Sequence, residues 1–216
     1  MSSKLEHNLA QGAVAPQLLR FALPFIISNI IQSLYSVADM IIVGQYAGAV
    51  SMSGVNIGGQ VTQLITNMVF GLSAGGTVLI GQYLGAGDRK ALRDTIGTLL
   101  SVLMALGAVF TVGLLLLRSP ILRAIQTPEP SFPEAMSYLF ITSLGIIFIF
   151  AYNALSAIMR GLGDSKRPLY FVSIACVANI VLDLIMVGVW HWGAFGAGLA
   201  TIISQALSVI LCIIYL

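Results

Sequence analysis

The chain has 216 residues, of which 58% are hydrophobic and only 8% charged, whereas a soluble globular domain carries about 25% charged residues. That composition excludes a water-soluble domain and describes an integral membrane protein. Ten basic and eight acidic residues leave a net charge of +2, too small and too dispersed to form a nucleic-acid surface.

In chain order, residues 1–17 are polar and mixed, and the apolar run behind them starts too late and runs on too long for a cleaved signal peptide. Six apolar runs follow, at about 18–43, 55–84, 95–117, 135–159, 168–189 and 194–216, each long enough to cross a bilayer as a helix. The expected fold class is therefore all-α, a polytopic membrane protein with six transmembrane helices over 18–216. Sidedness follows from the basic residues. Lys4, Arg20, Arg89, Lys90, Arg93, Arg160, Lys166 and Arg167 fall on the side of the N-terminus, and only Arg118 and Arg123 on the other. The positive-inside rule then makes 1–17 a cytoplasmic N-terminal segment and returns the C-terminus to the same side. Trp190 and Trp192 bracket His191 between the last two spans, where an aromatic interfacial belt is expected and His191 is a solvated loop residue. Cys176 and Cys212 lie in apolar runs without metal-ligand spacing and are expected to be small packing residues.

The acidic residues sort by position. Glu6, Asp88, Asp94, Glu129, Glu134 and Asp164 fall in tails, loops or span ends, which leaves Asp39 and Asp183 as the intramembrane charges. An Asp near mid-membrane costs roughly 2.5 to 3.5 kcal/mol on insertion scales, so it faces a cavity or a partner by default. Counted at about 1.5 Å per residue from Phe21 and Pro168, both carboxyls lie beyond the midpoint of parallel spans, in the outer half, at similar depth. Asn179 precedes Asp183 by four residues and shares its helical face.

Other polar residues recur at helical spacing. Asn29, Gln32, Ser36 and Asp39 share a face of span one, and Asn56, Gln60, Gln63 and Asn67 one of span two. Span four adds Tyr138, Thr142, Asn153 and Ser156, and span six Thr201, Gln205 and Ser208. Any one of these could simply glue helices together. Stripes converging on two carboxylates instead predict a wet, lined cavity. Pro24, inside span one, removes a backbone hydrogen bond and permits a hinge in the helix that carries Asp39. GQYAGA at 44–49 and GQYLGA at 81–86 each close a span and are given no further meaning.

Three stretches, SVADMIIVGQYAGA at 36–49, MRGLGDSKRPLY at 159–170 and NIVLDLIMVGVWHWGAFGAGLATIISQ at 179–205, resemble the MATE family of multidrug and toxic-compound extrusion transporters. The likeness covers essentially the whole chain. It implies one six-helix lobe of a twelve-helix transporter that exports cationic, often aromatic compounds (xenobiotic export across the cell membrane) in exchange for H⁺ or Na⁺. By resemblance, Asp39, Asn179, Asp183 and Thr201 match the polar cluster that binds the coupling cation in some branches, so Na⁺ at these four residues is an expectation of the family and no other cofactor is implied. Gln32, Ser36, Gln60, Gln63, Asn67, Tyr138, Asn153 and Gln205 are the expected cavity lining. The chain ends after six spans, so the implied partner is a second six-helix lobe, either a C-terminal half or another copy.

Two rivals are set against this. A lipid-linked precursor flippase of related architecture needs Arg or Lys in its cavity, and all ten basic residues are expected in loops or at span ends. An intramembrane aspartyl protease is suggested by Gly161-Leu162-Gly163-Asp164, a GxGD pattern, but that motif falls in a loop beside Pro168 where Gly and Asp are ordinary turn residues.

Overall fold

The structure, a computed structural model, describes residues 14–216. Lys4 and Glu6, with the segment 1–13, lie outside the described residues, as does the side chain of Arg20. Six helices are long and apolar enough to cross a membrane: α1 (Val14–Tyr46), α2 (Gly48–Ala86), α3 (Arg89–Ala124), α4 (Phe132–Gly161), α5 (Lys166–Asp183) and α6 (Gly193–Tyr215). A 3-10 turn, Glu129–Ser131, leads into α4. Past Asp183 the chain continues as a π-helical turn, Leu184–Val189, so span five changes pitch at the residue after its carboxylate.

The helices run longer than the apolar runs that mark them. Span two, expected from about residue 55, begins at Gly48, and a single residue, Ala47, separates it from α1. The reason lies in the small side chains of 48–54: Ser51 and Gly54 are buried there, and a Cβ at Gly54 would meet Glu134 Cβ at 2.6 Å. Gly48 takes the corner at φ +83°, a conformation that L side chains rarely adopt. The first GQY-containing stretch thus closes α1 in one tight turn.

α4 is the central helix. It packs against α2, α3 and α6, and Leu139, Ile146, Phe150 and Ala154 on it are fully buried with Leu103 and Leu122 of α3 and Val69 of α2. Because lipid is as apolar as Leu, such helices associate through van der Waals fit, and small residues allow the close approach. At Gly58 a Cβ would stand 2.7 Å from the Tyr138 ring, so α2 lies directly on the face of α4 that presents that tyrosine. α1 packs on α5, and α5 in turn on α6. Cys176 and Cys212 are buried and free within an apolar cluster. At the far end of α5 the Trp190 and Trp192 rings lie 4.8 Å apart and are exposed, with His191 between them in the open. This arrangement leaves α1, α2, α4 and α6 around a central space.

Candidate functional site

That space is a cavity of about 720 Å³. Gln32, Ser36, Gln60, Gln63, Asn67, Tyr138, Asn153 and Gln205 all line it, together with Asn29, Asn56, Asp39 and Thr201. The amides satisfy one another locally. Gln60 Nε2 donates to Asn56 Oδ1 at 2.7 Å, Gln63 Nε2 to Asn67 Oδ1 at 3.0 Å, and Asn153 Nδ2 to the Ile149 carbonyl at 2.8 Å. Such a wall offers many donors and acceptors without demanding one ligand geometry.

The stripes do not behave uniformly. Thr142, Ser156 and Ser208 are almost fully buried and do not line the cavity, contrary to the expectation that their whole stripes point into it. Thr142 Oγ1 donates instead to the Tyr138 carbonyl at 2.8 Å. Ser156 Oγ is buried without a hydrogen-bond partner, so these margins serve as small side chains that allow close helix approach rather than as interhelical hydrogen bonds.

At one end of the cavity α1, α5 and α6 bring the four cluster residues together. Asp39 is 7% exposed and faces the cavity, while Asp183 behind it is 0% exposed and does not. The two carboxyls lie within hydrogen-bonding reach of each other. Asn179, with its amide oriented to satisfy both neighbours, donates to Asp183 Oδ2 at 3.0 Å and accepts from the Thr201 backbone N–H at 3.2 Å. Thr201 Oγ1 donates to the Ala197 carbonyl at 3.0 Å. Asp39 Oδ1 and Asp183 Oδ1 are buried with no hydrogen-bond partner.

Two tyrosines complete the cluster. Tyr138, an expected lining residue, reaches Thr201 and stands close to Asp39 and Asp183. Tyr35 was not singled out by the sequence, yet it lies within electrostatic range of both carboxyls and of Cys176. The signal was available, since Tyr35 precedes Asp39 by four residues and therefore shares its helical face.

Arg160 is a second residue the sequence placed differently. It was expected at a span end away from the cavity, but it lines the cavity, its guanidinium 5.4 Å from the centre of the Phe25 ring. The α1 and α4 backbones do not pack on each other, so it is the length of the Arg160 side chain that bridges the cavity edge to α1. Pro24 lies within α1, which continues through it as helix, and the Ser28 hydroxyl donates to the Pro24 carbonyl at 2.8 Å.

The GxGD pattern resolves into a turn and a cap. Gly163 has φ +93°, and Asp164 Oδ1 accepts from the Lys166 and Arg167 backbone N–H groups, each at 3.1 Å, at the start of α5. Asp183 ends the same helix, about 28 Å away at 1.5 Å per residue. Asp164 and Asp183 therefore cannot share a proton as a protease dyad must. Among the described residues no three His, Cys, Asp or Glu side chains converge as a metal centre would require.

The family model MatE matches residues 24–185. The chain belongs to the MatE family. It is 31% identical to the probable multidrug resistance protein YpnP of Bacillus subtilis over 97% of this chain and 47% of that protein. It is 30% identical to the probable multidrug resistance protein NorM of Thermotoga maritima over 89% of this chain and 42% of that one. Among solved structures, a multidrug resistance MATE family transporter in an outward-facing conformation superposes with a TM-score of 0.85 at 26% identity, over 92% of this chain and 44% of that one. A MATE structure in complex with MaL6 gives 0.91 at 25% identity over 100% and 47%. This MatE chain thus spans about half the length of the curated relatives it matches, and its family is one of membrane transporters, not enzymes.

Proposed function

We propose that this chain is one lobe of a secondary active antiporter that exports cationic or amphipathic drugs in exchange for H⁺ or Na⁺, with residues 18–216 forming the lobe and a second six-helix lobe closing the cavity. The observation that carries this is the placement of Asp39, which faces the amide-lined cavity while touching the fully buried Asp183. Two carboxylates in a space with few other partners do not both stay ionised without a cation. The groups facing the pair, Tyr35 and Tyr138, carry no positive charge. Either a proton shared between the carboxyls or a sodium ion held by oxygens of Asp39, Asn179, Asp183 and Thr201 would complete the site, and the two orphaned Oδ1 atoms support that donor set. A cationic compound in the cavity competes for the same negative charge through Asp39. Binding of one then releases the other, which couples the two fluxes.

The single guanidinium at the cavity wall falls short of the basic lining that a diphosphate head group needs, so antiport is preferred over the flippase alternative. In cell-membrane vesicles holding the chain together with a second six-helix lobe, Asp183→Asn should abolish ion-driven export while the protein remains folded and inserted. Normal pH- or sodium-dependent counter-transport by the Asp39→Asn, Asp183→Asn double variant would sink the proposal.

A further inference from the structure

Asp39 and Arg160 are the two charged side chains that line the cavity among the described residues, and they belong to opposite ends of it. Phe25, beneath the Arg160 guanidinium, precedes Asp39 by fourteen residues on α1, about 21 Å along the helix axis. The Phe25 ring is itself stacked on Phe70 of α2, with centroids 5.9 Å apart and planes 16° from parallel. Three helices therefore build this end: α1 and α2 supply a two-ring apolar floor, and α4 lays a guanidinium across it.

A basic residue in the last turn of a helix suits the helix dipole, which accounts for the presence of a positive charge but not for its direction. Arg160 points across to the Phe25 ring of another helix, with the Tyr152 hydroxyl group of its own helix within electrostatic range, and no carboxylate among the described residues is paired with it. Arg160 is half-buried, so its five N–H donors remain accessible from the cavity and are available to a ligand's acceptors. The planar guanidinium fork matches a carboxylate or phosphate, and the stacked rings beside it match a flat aromatic group.

We propose that Arg160, Phe25 and Phe70 form a second subsite of the cavity, which takes an oxyanion group, carboxylate or phosphate, next to a planar aromatic. The proposal rests on the cavity being the compound-binding site and refines its substrate class. With Asp39 at the other end, the cavity is complementary to dipolar amphipathic compounds, and a purely cationic one uses half of its charged groups.

The test compares two dyes that differ in one group. Rhodamine B carries a free carboxylate on a cationic xanthene, and its ethyl ester is the same cation without the anion. Fluorescence polarisation with the chain purified together with a second six-helix lobe in dodecyl maltoside, which has no phosphate, should show rhodamine B binding about tenfold more tightly than the ester, as one charge-assisted contact allows. Arg160→Gln should bring the ratio of the two affinities to about one, and Arg160→Lys should keep part of it. Added benzenesulfonate should weaken rhodamine B more than the ester in the unaltered chain, a readout that needs no variant to fold. Phosphatidylglycerol in the micelles separates the sources of the oxyanion: a preference that vanishes identifies a lipid phosphate as the occupant, and one that persists identifies a group on the bound compound. Equal affinity for the two dyes, or a preference unchanged in Arg160→Gln, overturns the subsite and leaves the cavity standing. Binding of neither dye overturns the cavity as a compound site and the subsite with it.

Discussion

Asp39, Asp164 and Asp183 show how far context separates identical side chains. Asp164 spends its carboxylate on two backbone N–H groups and accepts from the Tyr215 hydroxyl at 3.3 Å, so its charge is consumed by the start of α5. Asp183 accepts from Asn179 through one oxygen and leaves the other without a partner, and Asp39 likewise keeps one oxygen free. Free acceptors in a buried carboxyl pair are what a coupling cation would use. Asp164→Ala should therefore lower stability by about 0.5 to 2 kcal/mol, as loss of a helix cap does, without altering the response to H⁺ or Na⁺. Thermal unfolding in detergent across a sodium series checks both halves of that expectation. A sodium response lost in Asp164→Ala and kept in Asp183→Asn would reverse the roles assigned to the two residues.

Among the elements, α2 is the one whose glycines decide the shape of the cavity. Gly58 lets Tyr138 lie against the α2 backbone, and Tyr138 in turn reaches Thr201 on α6, beside the two carboxyls. Gly58→Val would push that ring toward the cavity. The expected cost is about 1 to 3 kcal/mol of overpacking, with Thr201 displaced as a consequence. Gly71→Ala on the same helix meets nothing within 4 Å and should be neutral or slightly stabilising, since Ala is the better helix former. Unfolding temperatures of the two variants in one detergent make the comparison, and equal values would show that α2 and α4 tolerate separation at Gly58. The π-helical turn after Asp183 is the other element-scale feature. Such turns recur at functional sites, and this one sets the point where span five changes pitch.

At the scale of the molecule, α2 and α3 are 39 and 36 residues long, about 58 and 54 Å, while the bilayer core is about 30 Å thick. They must tilt or extend beyond the membrane. Under the positive-inside rule the excess of basic residues at the α2–α3 and α4–α5 turns makes those ends the expected cytoplasmic side, and we propose that orientation. A cysteine placed at Lys166 should be missed by an impermeant thiol reagent added outside the cell, and one at Glu129 should react. The reverse pattern would invert the topology. Exposed Ser36, Gln60, Gln63 and Asn67 face the open side of the cavity, the side on which the proposed second lobe would close it.

Several features were legible in the residues alone because each is a one-dimensional quantity. Apolar run length announces a spanning helix, a charge inside such a run announces a candidate site, and four-residue spacing pairs Asn179 with Asp183 and aligns the amides of α1 and α2. The cavity walls followed from the same periodicity. What spacing cannot state is how far a helix rotates or reaches once it packs. Only the tertiary structure separated Thr142, Ser156 and Ser208, which sit between helices, from Asn153 and Gln205, which face the cavity. Only it turned Arg160 inward over Phe25 and brought Tyr35 within electrostatic range of the carboxyl pair. The physical reason is common to all of these: periodicity names a face, but which neighbour that face meets is decided by the close fit of α2 and α6 on α4 and of α1 on α5, interactions between residues far apart in the chain.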